Sequence, residues 1–397
     1  MDFMNNKRNY IIAAKRTPFG SQFGVLSNLT AVQLATIVTK EIINSLNLPY
    51  SDYNELILGE VLTCGLGQNP ARQTAIMSGL NDTIQTFTVN KVCGSGLKSI
   101  NLADDSIKLG RSQLVIAGGA ESMSNAPHFI RRSKIIPKLA EVKLYDTVTL
   151  DALTDPFNNL SMSQIAEITS SRHNLTKKQL DDYACYSYAR MQSANNSGRF
   201  NDEIIPIKTT KRLKEILVDK DEEPFRFQPN QVYNVKPLYG DDGVISVLNS
   251  SKINDGAALV AVASEEYCVK NNIKPLVEIV THGSVGVNSM DFLLAPSKLI
   301  PKLLEQAGLT INDIDLFDIN EAFATVVLIT QQLLNIDPEK INVNGGAISL
   351  GHPVGASAAR ILVSTIYELK KRNAKYGLVA ACIGAGEGVG MIIKNVD

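Results

Sequence analysis

The chain has 397 residues, 44% of them hydrophobic, and a formal net charge of −1. That length suits two or three domains around a large core, and balanced, interspersed charge excludes a polyanion such as nucleic acid as the main partner. No run of about 18 apolar residues occurs, which excludes a membrane-spanning helix, and five scattered cysteines (64, 93, 185, 268 and 382) exclude a disulfide framework and a zinc pattern.

The first eight residues carry no apolar segment of signal type. A reducing, cytoplasmic setting is therefore expected. Tyr10-Ile-Ile-Ala-Ala14 reads as a short buried strand and Lys15-Arg-Thr-Pro-Phe-Gly20 as a loop. After Thr30, the spacing of Leu34, Ile37, Val38 and Ile42 predicts a helix. Residues 52–60 read as a loop feeding a strand, and Asn69-Pro-Ala-Arg72 opens another helix.

The stretch Thr88-Val-Asn-Lys-Val-Cys-Gly-Ser-Gly-Leu-Lys-Ser99 then places Cys93 at a strand-to-helix turn. Phe87-Thr88-Val89 ends the strand, and Leu97, Ile100 and Ile107 mark one helix face. Helix N-terminal amides favour an anion and lower a cysteine's pKa, so a thiolate nucleophile is expected there. A buried structural cysteine in a glycine turn is the other reading. Leu114-Val-Ile-Ala-Gly-Gly119 is a further buried strand, and the alternation predicts an α/β fold with parallel or mixed sheets.

Residues from about 120 to 250 are richer in Ser, Asn, Pro and charge. Helices are expected from 162 to 171 and after a Thr176 N-cap. Residues 211–237 are polar and irregular, the pattern of a ligand cover or of a plain surface insertion. From Ile253 the βα rhythm returns, and the second half echoes the first. Leu299, Ile300, Leu303, Leu304 and Ala307 form a helix like the one at 34–46. Residues 311–319 parallel the stretch from Asp52, with Glu55 matching Asp315 at a spacing of 260, and 342–344 parallels 88–90. One unit used twice predicts two similar domains about a pseudo-two-fold axis, their strand-to-helix turns facing a shared site.

Three further stretches carry polar residues at or just beyond strand ends, where open α/β sheets bind ligands. They are Asn320-Glu-Ala-Phe-Ala324, Gly345-Gly-Ala-Ile-Ser-Leu-Gly-His-Pro353 and Cys382-Ile-Gly-Ala-Gly-Glu-Gly388. Taken singly, His352 reads as a satisfied loop histidine and Cys382 as a small buried hydrophobe.

Together with the Cys93 turn, these stretches closely resemble the thiolase family. Asn249-Ser-Ser-Lys-Ile-Asn-Asp-Gly-Ala-Ala258, Glu121-Ser-Met-Ser-Asn-Ala-Pro127 and Gly198-Arg-Phe200 fit it too, and the likeness runs from about Ile11 to Gly390. The resemblance implies a thiolase fold: duplicated βαβαβαββ halves in a five-layer αβαβα arrangement plus an inserted loop domain. The N-terminal half would span 1–121, completed by about 254–274, the loop domain 122–253 and the C-terminal half 275–397.

It also implies acyl exchange between thiols, with Cys93 as nucleophile, His352 as its base and Cys382 as the second acid/base. Asn320 would hold a water that forms one oxyanion site with His352. The N–H groups of Cys93 and Gly384 would form the other. By motif position Met162, Tyr239, Ser251, Ala322 and Phe323 would line the coenzyme A tunnel, with Arg226 near the phosphates. No metal or cofactor is implied beyond coenzyme A thioesters, and no nucleic-acid or membrane partner. A homodimer or homotetramer is expected.

Four departures from the family pattern lie near the expected pocket. Lys252 stands for a glycine, Ala385 for a glycine with Glu387 nearby, Ser163 follows Met162 where the family has glycine, and Phe292-Leu293 replaces a Met-Gly pair. Three functions follow: an acetyl-CoA C-acetyltransferase, a 3-ketoacyl-CoA thiolase of fatty-acid breakdown, or a coenzyme A-binding homologue weakened in turnover.

Overall fold

The computed structural model describes residues 8–132, 142–211, 214–227, 232 and 234–396. The first half runs β1 (Asn9–Arg16), β2 (Gly20–Ser21), α1 (Ala31–Leu46), β3 (Glu55–Gly59), α2 (Pro70–Met77), β4 (Gln85–Val89), α3 (Ser95–Lys108) and β5 (Leu114–Ser122). An insertion follows with β6 (His128–Phe129), β7 (Tyr145–Asp146), α4 (Met162–Arg172), α5 (Lys177–Asn196), β8 (Ile207–Lys211) and β9 (Lys214–Val218). The chain then returns through β10 (Asn254–Ser264) and α6 (Glu265–Lys270). The second half comprises β11 (Val277–Gly286), α7 (Ala295–Ala307), β12 (Leu316–Ile319), α8 (Ala324–Leu334), α9 (Ala347–Leu350), α10 (Ser357–Arg372), β13 (Tyr376–Ile383) and β14 (Glu387–Asn395).

Local chemistry sets the helix starts. Thr30 and Thr176 each close a capping box, with Gln33 and Gln179, satisfying orphan N–H groups of α1 and α5. Asn69 caps α2 ahead of Pro70, whose missing N–H costs nothing at that position.

The main sheet has the order β12-β13-β14-β11-β1-β10-β5-β3-β4, with β2 attached to β10. Its two halves meet only where Tyr10 and Ile11 pair with Glu278 and Val277. Both have parallel strands at their outer end, β4-β3-β5 and β12-β13, and antiparallel pairing toward the seam. The apolar residues of α1 and α2 cover one face of the first half, and α7 and α8 cover the far face of the second. Between them α3 and α10 share one core with the inner faces of both. These are the five layers expected.

Two details differ from the sequence reading. Residues 211–237 are not uniformly irregular, because β9 pairs with β8 as a hairpin; 212, 213, 228–231 and 233 lie outside the described residues. The repeat spacing is also one residue longer. Asn54 Oδ1 accepts the N–H groups of Gln113 and Leu114, as Asp315 Oδ2 accepts those of Lys375 and Tyr376. The partner of Asp315 is therefore Asn54, 261 residues before it (315 less 54), and not Glu55. Side-chain type misled here: an amide and a carboxylate accept the same pair of donors.

Candidate active site

Cys93 precedes α3 in a tight turn. Val92 holds φ at +43°, a costly conformation for a β-branched residue. Ser95 stabilises it: its Oγ donates to Val92 O at 2.7 Å and accepts the Lys91 N–H at 2.8 Å. A Cβ on Gly94 would sit 2.5 Å from Ile383 Cδ1, so glycine lets the end of β13 approach the turn. The N–H of Gly384, just past β13, faces the Cys93 sulfur, as does the N–H of Cys93 itself.

Burial outweighs these donors and pushes the Cys93 thiol up to about 11. The expected low pKa is thus reversed. Desolvation of a sulfur anion exceeds what two amides return, so the resting group is a thiol.

His352 follows α9 and is buried. Its Nδ1 lies 2.6 Å from Ser357 Oγ, which in turn donates to Pro353 O at 2.9 Å. A hydroxyl has one hydrogen, so with that hydrogen on Pro353 the imidazole carries its own on Nδ1. Nε2 is then a lone pair, and among the described residues it has no partner. Burial, helped by the positive field of Arg360, lowers the His352 pKa to about 4. The imidazole is neutral near pH 7 and available as a base.

Cys93 and His352 line one cavity of about 660 Å³ with Met162, Ser251, Lys252, Ala322, Phe323, Phe292 and, at its edge, Arg226. Cys382, at the end of β13, and Asn320 are not among the residues that line this cavity; Cys382 is fully buried, with its thiol raised by burial and by the charge of Cys93. Asn320 is fully buried as well, and among the described residues neither amide atom has a partner. Tyr239 lies outside the lining, but its hydroxyl bonds Ser163 at 2.6 Å and Ser161 at 3.1 Å, both cavity residues.

Comparison with known protein families covers nearly the whole chain. The thiolase N-terminal domain matches residues 9–266 and the thiolase C-terminal domain residues 273–395. The chain belongs to the thiolase family. It is 40% identical to the acetyl-CoA acetyltransferase of Allochromatium vinosum, covering 98% of this chain and 100% of that one. The Acat5 thiolase from Ascaris suum, solved in complex with coenzyme A, is 39% identical with a TM-score of 0.93, covering 98% of this chain and 100% of that one. Human mitochondrial 3-ketoacyl-CoA thiolase is 34% identical with a TM-score of 0.94, covering 98% and 99%.

Within this thiolase the departures at Ala385, Glu387 and Phe292 bring backbone strain, an ion pair and a cavity wall. Ala385 holds φ at +68°, a left-handed conformation costing about 1 kcal/mol for a residue with a Cβ. Glu387 pairs with Lys91 at 2.6 Å and ties the β13–β14 turn to the Cys93 turn. Met162 fills the space beside Gly384, where a Cβ would lie 3.1 Å from its sulfur. Phe292 adds an aromatic wall to the cavity.

Three residues escaped the sequence reading. Ser357 orients His352 and sits five positions on, at the start of α10. Glu321 accepts from Tyr183, Ser187, Asn342 and the Ile348 N–H, holding the α9 turn. Glu121 accepts the N–H groups of Val61, Leu62 and Gly355, joining the two halves beneath the site. Only Glu321 and Glu121 carried a signal, being inside quoted motifs.

Proposed function

We propose that this thiolase is an acetyl-CoA C-acetyltransferase, joining two acetyl-CoA into acetoacetyl-CoA and coenzyme A, and reversing that reaction. The observation that carries the reading is that the Cys93 thiol and His352, whose Nε2 has no partner among the described residues, line one cavity. The names of the relatives, acetyl-CoA acetyltransferases at about 40% identity over nearly the whole chain, support the same substrate.

In the first half-reaction the Cys93 sulfur attacks the acetyl carbonyl while its proton passes to His352 Nε2. A general base is required because the resting sulfur is protonated. The N–H groups of Cys93 and Gly384 receive the oxyanion. The coenzyme A thiolate then takes the Cys382 proton and leaves as free coenzyme A, giving acetyl-Cys93, a Cys382 thiolate and a protonated His352. In the second half-reaction the Cys382 thiolate takes a proton from the methyl of a second acetyl-CoA. The enolate oxygen is held by Asn320, through a water, and by the N–H on His352 Nε2. Carbon attacks the acetyl-Cys93 carbonyl, the C–S bond breaks and the Cys93 thiolate regains its proton from His352. Each step balances with the chain's own groups and coenzyme A thioesters, so we propose no cofactor and no metal.

Residues 122–253 would cover the nucleotide end, with Arg226 at the cavity edge and Tyr239 at the rim. A homodimer or homotetramer fits the exposed outer strand β4 with Phe87, beside exposed Ile76 and Met77 on α2. All five cysteines are free, which supports a reducing, cytoplasmic setting. Among the described residues no helix is long and apolar enough to cross a membrane.

The deciding experiment mixes the purified chain with acetoacetyl-CoA and coenzyme A, and separately with radiolabelled acetyl-CoA. Cleavage and a label on Cys93 are expected. Activity confined to acyl chains of eight carbons or more would replace this reading with the fatty-acid one, which the likeness to human 3-ketoacyl-CoA thiolase keeps in view. Absence of label would leave a binding protein.

A further inference from the structure

Lys252 lines the cavity wall, but its ammonium is directed into backbone. Its Nζ lies 2.9 Å from Ser250 O, 3.1 Å from Ile348 O and 3.4 Å from Leu248 O. An ammonium has three N–H donors. Three carbonyls therefore use them all, and none remains for a phosphate or a pantetheine group. The ring of Tyr188 adds a further favourable face, 5.5 Å from Nζ.

These carbonyls belong to two separate walls. Leu248 and Ser250 lie in the segment leading into β10, where the Ser251 N–H donates to Ala322 O and Ser250 bridges Phe323. Ile348 lies in α9, four residues before His352. The Ile348 N–H donates to Glu321 Oε2 at 3.1 Å, so this one residue is held between a carboxylate and an ammonium. The main chain of Lys252 makes a second tie, its carbonyl accepting the His352 N–H at 3.0 Å. Converging carbonyl dipoles repel one another unless a cation sits among them.

We propose that Lys252 is a positioning residue, a cation tethered to the chain that locks residues 248–252 to the α9–His352 turn and so aims the imidazole at Cys93. The proposal rests on the acetyltransferase reading above. A glycine at this position leaves the carbonyls to find another donor; in this chain the lysine supplies it. Burial lowers the ammonium to about 8, opposed by Glu223 and Glu321, the charged groups that face it. The lock should therefore loosen in mild alkali. A misplaced base slows turnover without loosening the substrate.

The test is Lys252→Met and Lys252→Gln, with kcat and KM for acetoacetyl-CoA cleavage measured from about pH 6 to about pH 10, alongside melting temperature. Lys252→Met should lower kcat about 30-fold with KM changed less than about twofold. In the wild type, kcat should fall on the alkaline side with a midpoint near 8, and that limb should vanish in the variant. Wild-type kcat and an unchanged pH profile in Lys252→Met would overturn the proposal, as would a loss confined to KM, which would make Lys252 a substrate contact. If Lys252→Met fails to fold, Lys252→Gln, whose amide keeps two N–H donors, carries the same measurements. Failure of both to fold also overturns it, because the lysine would then serve folding alone. An inactive, unlabelled wild type would instead sink the acetyltransferase reading.

Discussion

In the first half of the sheet Asn54 accepts the two N–H groups that open β5; in the second half Asp315 does the same for β13. At the same spacing Glu60 corresponds to Glu321, and here the halves part. Glu321 is met by three side chains and the Ile348 N–H. Glu60 is fully buried, and among the described residues neither of its oxygens has a partner. The outer strand differs as well: β4 pairs with β3 over its whole length, whereas its counterpart beside β12 is a single bridge from Phe317 to Ile341. A duplicated backbone plan thus carries unequal polar chemistry. The first half offers a regular strand and a strained turn for the nucleophile. In the second, regular strand pairing gives way to a glycine-rich path that seats the imidazole.

Removing the nucleophile tests the first half most severely. Cys93→Ala should lower acetoacetyl-CoA cleavage by about 10⁴-fold or more, and residual turnover above a hundredth of wild type would reassign the role of the turn. On the other side of the seam, Cys382→Ala should slow condensation by about 10²- to 10⁴-fold while leaving acetyl transfer to Cys93 largely intact. Equal losses in a labelling assay and a condensation assay would break that division of labour.

Ser357→Ala, aimed at the tautomer of His352, should reduce kcat about 10- to 100-fold with little change in KM; an unaltered kcat would mean that Ser357 does not set the proton. The smallest effect concerns the unmatched carboxyl. Burial, and then the field of Glu121, holds Glu60 well above its usual range. It is neutral when folded at pH values where the unfolded chain would ionise it. Its contribution to stability is complete below the unfolded pKa and is lost as pH rises through the folded one. Glu60→Gln should therefore melt increasingly above the wild type as pH climbs from about 5 to about 9. A gap independent of pH would refute this asymmetry between Glu60 and Glu321.

The fold was largely legible because its signals are local. Thr176 is an N-cap in both sequence and structure, and the apolar runs at 10–14 and 114–119 became buried strands. The hairpin of β8 and β9 was missed because its apolar face is short, Ile207, Ile216 and Val218 set among Lys, Thr and Glu. Cys93 and His352 were legible as motif residues, and the cavity does bring them together. The protonation of Cys93 was not, because a helix terminus is visible in sequence whereas the desolvation that outweighs it is not. Lys252 read as an intrusion on the cavity; the carbonyls of neighbouring Leu248 and Ser250 and of Ile348, far along the chain, turned it inward.

By itself the sequence determined which segments become strands and helices, that one βα unit is used twice, and which thiols, imidazole and amide are at hand. Tertiary structure alone decided the protonation of the thiols and the imidazole and the turn of the Lys252 ammonium toward Ile348. Periodicity and capping act within a few residues of chain. Desolvation and hydrogen-bond partnership depend on groups hundreds of residues apart that only packing brings into contact.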